Sequence, residues 1–196
     1  MNMTKDKIIA AALALFSKNG YEGTSLTEIA KAVGIQKPSI YNHFKSKEEI
    51  FLTIYENILW LHVKKVEELM ENINELSAKE QLYQILNVTF KYYIEFEEQS
   101  TFLNRAVFFS PESLKEQLHT QFMQSEEAMS TILRSVIDQG IKDGEIRVGN
   151  VEDFVMSFYC LIDGIFIELS YYGAEKMKPR ISNIWRNFWY GYKNDQ

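Results

Sequence analysis

Residues 25–44 read SLTEIAKAVGIQKPSIYNHF, a stretch that carries the signals of two short helices joined by a glycine turn. Ser25 and Glu28 are spaced as a capping box, in which the hydroxyl accepts from the Glu28 amide and the carboxylate returns to the Ser25 amide. A helix therefore begins at Leu26. Ile29, Ala30 and Val33 share one face of it, and Gly34 is the residue able to take positive φ and turn the chain. Lys37 and Pro38 open the second helix, where proline is tolerated because first-turn amides have no acceptor within the helix. Ile40 and Phe44 supply its inner face, leaving Gln36, Lys37, Ser39, Tyr41, Asn42 and His43 outside. Small Ala30 lets the helices cross closely, and a short turn of this kind sets a second helix in a DNA major groove. An ordinary helical hairpin is the competing reading, and the flanks separate the two.

Upstream, Thr4 can cap a helix whose inner face carries Ile8, Ala12, Leu15 and Phe16 and which ends at Asn19-Gly20. Downstream, Ser46 and Glu49 form a second capping box and open a long helix through Ile50, Ile54 and Leu61 to about residue 75. With these flanks, the phenylalanine helix ahead of NGY, the TSLTEIA helix, GIQKPSIYNHF and KSKEE resemble the DNA-binding domain of the TetR family of bacterial transcriptional regulators. The resemblance covers the first quarter of the chain; the rest is similar to the family only in helical pattern and length.

The resemblance implies an all-α fold with an N-terminal three-helix helix-turn-helix domain at 1–46 and a helical ligand-binding and dimerisation domain at 47–196. It implies a repressor that binds a double-stranded, palindromic DNA operator as a homodimer and is released by a small lipophilic effector. Carried onto matching positions, Gln36, Lys37, Ser39 and Asn42 face base edges, Tyr41, His43 and Lys47 hold phosphates, and Ser25 and Thr27 add backbone contacts. For Lys47, a cation opening a helix opposes the macrodipole, which favours a phosphate partner over simple solvation. Gln36 stands where a small hydroxyl residue is commoner in the family; its amide suits adenine N6 and N7, or else caps the second helix.

The 196 residues carry a formal net charge of −6, an odd balance for a DNA-binding chain until it is divided. Residues 1–50 hold seven Lys against five Asp or Glu, a net of +2, which leaves −8 on the remainder. An acidic body is kept off DNA while a modest basic face approaches it. The single Cys160 excludes an intramolecular disulfide and fits a reducing cytoplasm. No segment is expected to span a membrane, and no signal peptide opens the chain.

Beyond the helix that opens at Ser46, five more helices are expected. Residues 78–96 place Leu82, Ile85, Leu86, Val88, Phe90, Tyr93 and Phe96 around much of a circumference, as a central helix would. A short element at 101–109 precedes Ser110-Pro111, and a long helix from Ser113 turns Leu114, Leu118, Phe122, Met129, Leu133, Val136 and Ile137 inward. Residues 151–172 are apolar nearly all round, more than one chain easily covers, and the last helix carries a stripe of Ile181, Ile184, Trp185, Phe188, Trp189 and Tyr192. In the family these last two helices pair across a two-fold axis, which puts Phe158, Ile162, Phe166, Ile184, Trp185, Phe188 and Trp189 in the dimer interface.

A ligand cavity is implied only by the resemblance. Its candidates are Asn87, Tyr93, Phe96, Phe102, Asn104, Arg105, Phe122 and Phe158, aromatics that equally serve a core, joined by polar residues that sit within apolar helices. No cofactor and no metal is expected. His43, His62 and His119 have no metal-ligand spacing, no glycine-rich phosphate loop is present, and Cys160 lies in an apolar run that would keep its thiol inert. An enzyme is thereby disfavoured, and the alternative function is a ligand-independent DNA-binding or DNA-organising protein of the same fold.

Overall fold

The computed structural model describes residues 3–194. Helices α1 (Met3–Asn19), α2 (Leu26–Val33), α3 (Lys37–Ile40), α4 (Lys47–Ile73), α5 (Ala78–Glu95) and α6 (Glu97–Phe108) are followed by a 3-10 turn at Glu112–Leu114. Helices α7 (Lys115–Lys142), α8 (Val151–Tyr172) and α9 (Ala174–Tyr192) complete the chain. The only β-type pairing among the described residues is an isolated bridge between Ile146 and Lys193. The fold is all-α, as the periodicity predicts.

Contacts gather the chain into two compact units, 1–61 with 96–125 and 62–95 with 126–196. This differs from a division after residue 46, because α4 and α7 are long enough to contribute one end to each unit.

In the first unit, Ile8, Ala12 and Phe16 of α1, Ile29 and Ala30 of α2, Ile40 and Phe44 around α3, and Ile50, Phe51 and Ile54 of α4 are all buried. Helix α6 belongs to the same core. Phe102 has no exposed surface, and its ring lies 4.7 Å from Phe51 and 6.3 Å from Phe16. Two hydrogen bonds fasten α6 to α1: Ser17 donates to the Glu98 carbonyl at 3.0 Å, and Arg105 to the Lys18 carbonyl at 3.0 Å.

The second unit is built around Leu82, Ile85 and Leu86 of α5, Leu133 and Ile137 of α7, Phe158 and Ile162 of α8, and Trp185 and Trp189 of α9. Helix α8 is long and apolar enough, by length and composition, to cross a membrane, which corrects the expectation that no segment is; its richest window has a mean hydropathy of 1.5. Phe154, Val155, Phe158, Ile162 and Ile165 turn into the core of the second unit, whereas only 28% of that window is buried. An amphipathic helix would suffice for one buried face, so the composition of α8 calls for a second apolar contact.

A polar pair sits within this unit. His62 Nε2 and Thr89 Oγ1 share a hydrogen bond of 2.9 Å, and the imidazole lies 5.2 Å from the Tyr92 ring. Burial lowers the His62 pKa from 6.5 to about 4. The unfolded chain takes up this proton below about pH 6.5 while the folded chain resists until about pH 4, so stability is expected to fall as pH drops through that window. The loss is at most about 3 kcal/mol, from the size of the shift. Urea midpoints measured between pH 7 and pH 4 test this, and His62→Gln should flatten the curve; a wild-type curve already flat would exclude a proton-resisting imidazole.

Candidate nucleic-acid interface

The helix-turn-helix is assembled from local bonds. Ser25, extended at φ −115°, ψ 153°, caps α2 with its hydroxyl accepting from the Glu28 amide at 3.2 Å, while the Glu28 carboxylate accepts from the Ser25 amide at 2.8 Å. The same Ser25 bonds hold the Glu28 carboxyl below its ordinary pKa. Gly34 ends α2 at φ +77°, and the left-handed turn leaves Ile35 donating to the Ala30 carbonyl at 3.0 Å. Helix α3 is a single α-turn, Lys37–Ile40, continued by turn residues 41–43, so the recognition element is shorter than a helix running to Phe44.

Ile40 and Phe44 are buried beneath it, and Gln36, Lys37, Tyr41 and Asn42 are exposed above it, with Ser39 and His43 partly so. Gln36 occupies the N-cap position at φ −79°, ψ 144° but its side chain makes no capping bond. Its amide is therefore not spent on the helix end. Thr27 is exposed on α2 beside the engaged Ser25.

Lys47 departs from the expected role. Its ammonium donates to the carbonyls of Tyr21 at 2.9 Å and Thr24 at 3.1 Å and lies 3.9 Å from the Tyr21 ring centroid. At the opening of α4, Ser46 caps the Glu49 amide at 3.2 Å, but the Glu49 carboxylate accepts from Lys45 and not from Ser46. Thr4 lies within α1 and does not cap it.

Residues 8–54 match the family described as "Bacterial regulatory proteins, tetR family". The chain carries a TetR-family DNA-binding domain. It is 36% identical over 114 residues to the biofilm operon icaADBC HTH-type negative transcriptional regulator IcaR of Staphylococcus epidermidis, a match spanning 58% of each protein. It is 28% identical to IcaR of Staphylococcus aureus strain Newman, over 85% of this chain and 84% of that one. Among solved structures, FadR from Bacillus subtilis in complex with stearoyl-CoA superposes with a TM-score of 0.76 at 21% identity, covering 95% of this chain and 98% of that one. The superantigen PfiT superposes with a TM-score of 0.77 at 18% identity, covering 100% and 98%. At such identities these two structures speak for the fold alone. The two IcaR relatives are negative transcriptional regulators and not enzymes.

The residues expected to line an effector cavity divide between the two units. Phe96, Phe102, Asn104, Arg105 and Phe122 fall in the first unit, and Asn87, Tyr93 and Phe158 in the second. Phe102 is core, Arg105 is spent on the end of α1, and Phe122, expected inward, is 40% exposed. Tyr93 lies 4.5 Å from the Phe166 ring, and Asn87 donates to the Tyr83 carbonyl of its own helix at 2.8 Å. Two grooves of about 670 and 260 Å³ lie elsewhere: the larger is lined by Met156, Cys160, Leu161 and Phe188, the smaller by Ile141, Arg147, Asn150 and Phe154.

The expected dimer residues are also redirected. Phe158, Ile162, Trp185 and Trp189 are buried within their own chain, Trp185 stacking on Tyr83 at 5.7 Å. Ile184, Phe166 and Phe188 are partly exposed. The outward face of α8 instead holds Met156, Cys160, Gly164, Ile167 and Tyr171, at spacings of three and four residues. Cys160 is exposed, contrary to the expectation from its apolar surroundings in sequence. What the sequence pattern lacked was the destination of each face; its excess of apolar residues all round α8 was the available sign of two contacts.

Proposed function

We propose that the chain is a dimeric transcriptional repressor of the cytoplasm that holds a palindromic DNA operator and leaves it when a small lipophilic ligand binds. The observation that carries the DNA reading is the exposed row Gln36, Lys37, Tyr41 and Asn42 over a buried Ile40 and Phe44, with the Gln36 amide unspent. Base edges fall to Gln36, Lys37, Ser39 and Asn42, and phosphates to Tyr41 and His43, with Ser25 and Thr27 beside them. Repression is the action named for IcaR. A single α-turn reads too few bases for a genome-scale choice, so two copies are needed, and the apolar outward face of α8 is the surface that supports pairing.

Effector release draws on the stearoyl-CoA complex of FadR and on Asn87, Tyr93 and Phe158 of this chain. The alternative is a ligand-independent DNA-binding or DNA-organising protein of the same fold. Thermal melts with stearoyl-CoA as the probe separate the two. A rise in melting temperature, with operator affinity lowered by the same compound, supports release; no effect of any acyl-CoA on either favours the ligand-independent form.

Selection of bound sequences from random duplexes tests the DNA reading. Wild type should enrich inverted repeats whose half-sites lie roughly 34 Å apart or a multiple of it. Gln36→Ala should relax preference at one position per half-site, by about 1 to 3 kcal/mol, while leaving binding to unrelated duplexes unchanged. An unaltered preference would leave Gln36 with only its backbone place at the start of α3.

A further inference from the structure

Three side chains at the start of α4 grip the loop between α1 and α2. Lys47 Nζ donates to the Tyr21 and Thr24 carbonyls at 2.9 and 3.1 Å and covers the Tyr21 ring. The Tyr21 hydroxyl donates to Glu48 Oε1 at 2.7 Å, a bond that holds the Glu48 carboxyl below its ordinary range. Phe51, one turn on, meets the Tyr21 ring edge-on at 5.2 Å. The loop is also closed on itself, since buried Thr24 donates through its hydroxyl to the Gly20 carbonyl at 2.9 Å. The next residue, Ser25, caps α2.

We propose that Tyr21, Lys47 and Glu48 form a clamp that sets the angle of the helix-turn-helix against α4, positioning the reading residues without touching DNA. This rests on the DNA-binding reading above. The geometry supplies the reason: α2 cannot turn relative to α4 unless the two carbonyl bonds, the tyrosine–carboxylate bond and the ring contact break together. It also removes the ground for giving Lys47 a phosphate. A cation in the first turn of a helix is opposed by the macrodipole, and two carbonyl oxygens already compensate it. Two of its three donors are thereby taken. Lys37 and Lys45, exposed around the reading surface, stand free of such bonds.

The test uses the full chain with Lys47→Ala, Glu48→Ala and Glu48→Gln, titrated on operator and unrelated duplexes at several salt concentrations. Lys47→Ala and Glu48→Ala should weaken operator binding about tenfold, the effect of losing a charged hydrogen bond. The salt slope and the affinity for unrelated duplexes should stay at wild-type values, because no phosphate contact is removed. Glu48→Gln, whose amide oxygen still accepts from the Tyr21 hydroxyl, should recover most of the loss. A salt slope shallower by about one for Lys47→Ala, with equal weakening on both duplexes, would make Lys47 a phosphate contact and overturn the clamp. Unchanged operator affinity would overturn it as well. Hydrogen exchange in the DNA-free protein reads the clamp separately: Glu48→Ala should speed exchange in the first turn of α2 while the middle of α4 stays protected. Unchanged protection there overturns the clamp whatever the DNA result, whereas a wild-type chain that binds no duplex overturns the regulatory reading alone.

Discussion

A chain with arginine in place of Gly164 is expected to fold normally, sediment as a monomer, and lose at least about a hundredfold in operator affinity. Gly164 sits in the middle of α8, and a Cβ placed on it would meet nothing within 4 Å among the described residues. Glycine inside a helix costs about 1 kcal/mol relative to alanine, and no contact within this chain offsets it. A close approach by a second helix would explain the residue, and the apolar stripe of Met156, Cys160, Ile167 and Tyr171 runs through it. Arginine there fits the monomer but carries a bulky cation into the close approach of two α8 helices, at several kcal/mol. Separated protomers hold one half-site each and lose the energy of the second. Sedimentation at micromolar concentration, circular dichroism and operator titration make the three measurements. A Gly164→Arg chain that remains a dimer with unchanged operator affinity would move the interface elsewhere. Charge at Trp185 is no substitute for this test, since that ring is buried against Tyr83, Phe158 and Trp189 of its own unit and its loss would damage the monomer first.

Phe102→Ala is expected to cost about 3 to 5 kcal/mol of stability, the range for emptying a buried aromatic site. Melting temperature should fall on the order of 10 °C for a chain of this size. The Phe102 ring is fully buried and in contact with Phe51, which in turn meets Phe16 edge-on at 5.1 Å, so the cavity opens between α1, α4 and α6. Operator binding should weaken with it, because α1 and α4 carry the loop and the caps of the helix-turn-helix. A residue lining an effector cavity behaves otherwise: alanine there enlarges an existing void at little cost and alters ligand affinity. Equilibrium denaturation of Phe102→Ala distinguishes the two, and a loss below about 1 kcal/mol would return Phe102 to the cavity.

The cap of α2 and the glycine turn that ends it were legible because both are decided by neighbours in sequence. Ser25 and Glu28 meet within one helical turn, and Gly34 takes its left-handed conformation without reference to the rest of the chain. Ile40 and Phe44 could be assigned inward for the same reason, since a short helix with one apolar face has only one way to lie. The bonds of Lys47 were not legible because its partners, the Tyr21 and Thr24 carbonyls, are more than twenty residues away and carry no sequence signature.

The helices beyond Lys47 pose a different problem. Helical spacing marks which residues share a face, but in α8, apolar nearly all round, it does not say which face meets the chain itself and which is left for another. The bulky rings Phe158, Trp185 and Trp189 filled the interior, where burial gains most per side chain, and the smaller Cys160 and Gly164 came to lie outside. Phe122 and Phe102 carry the same ring and similar periodicity, yet one is exposed and the other sealed. Local hydrogen bonds and the alternation of polar and apolar residues were enough to write the helices and the cap and turn of α2 into the sequence. The partner of each apolar face was settled only in three dimensions, where hydrophobic contact is non-directional and the available volume decides which side chains are enclosed.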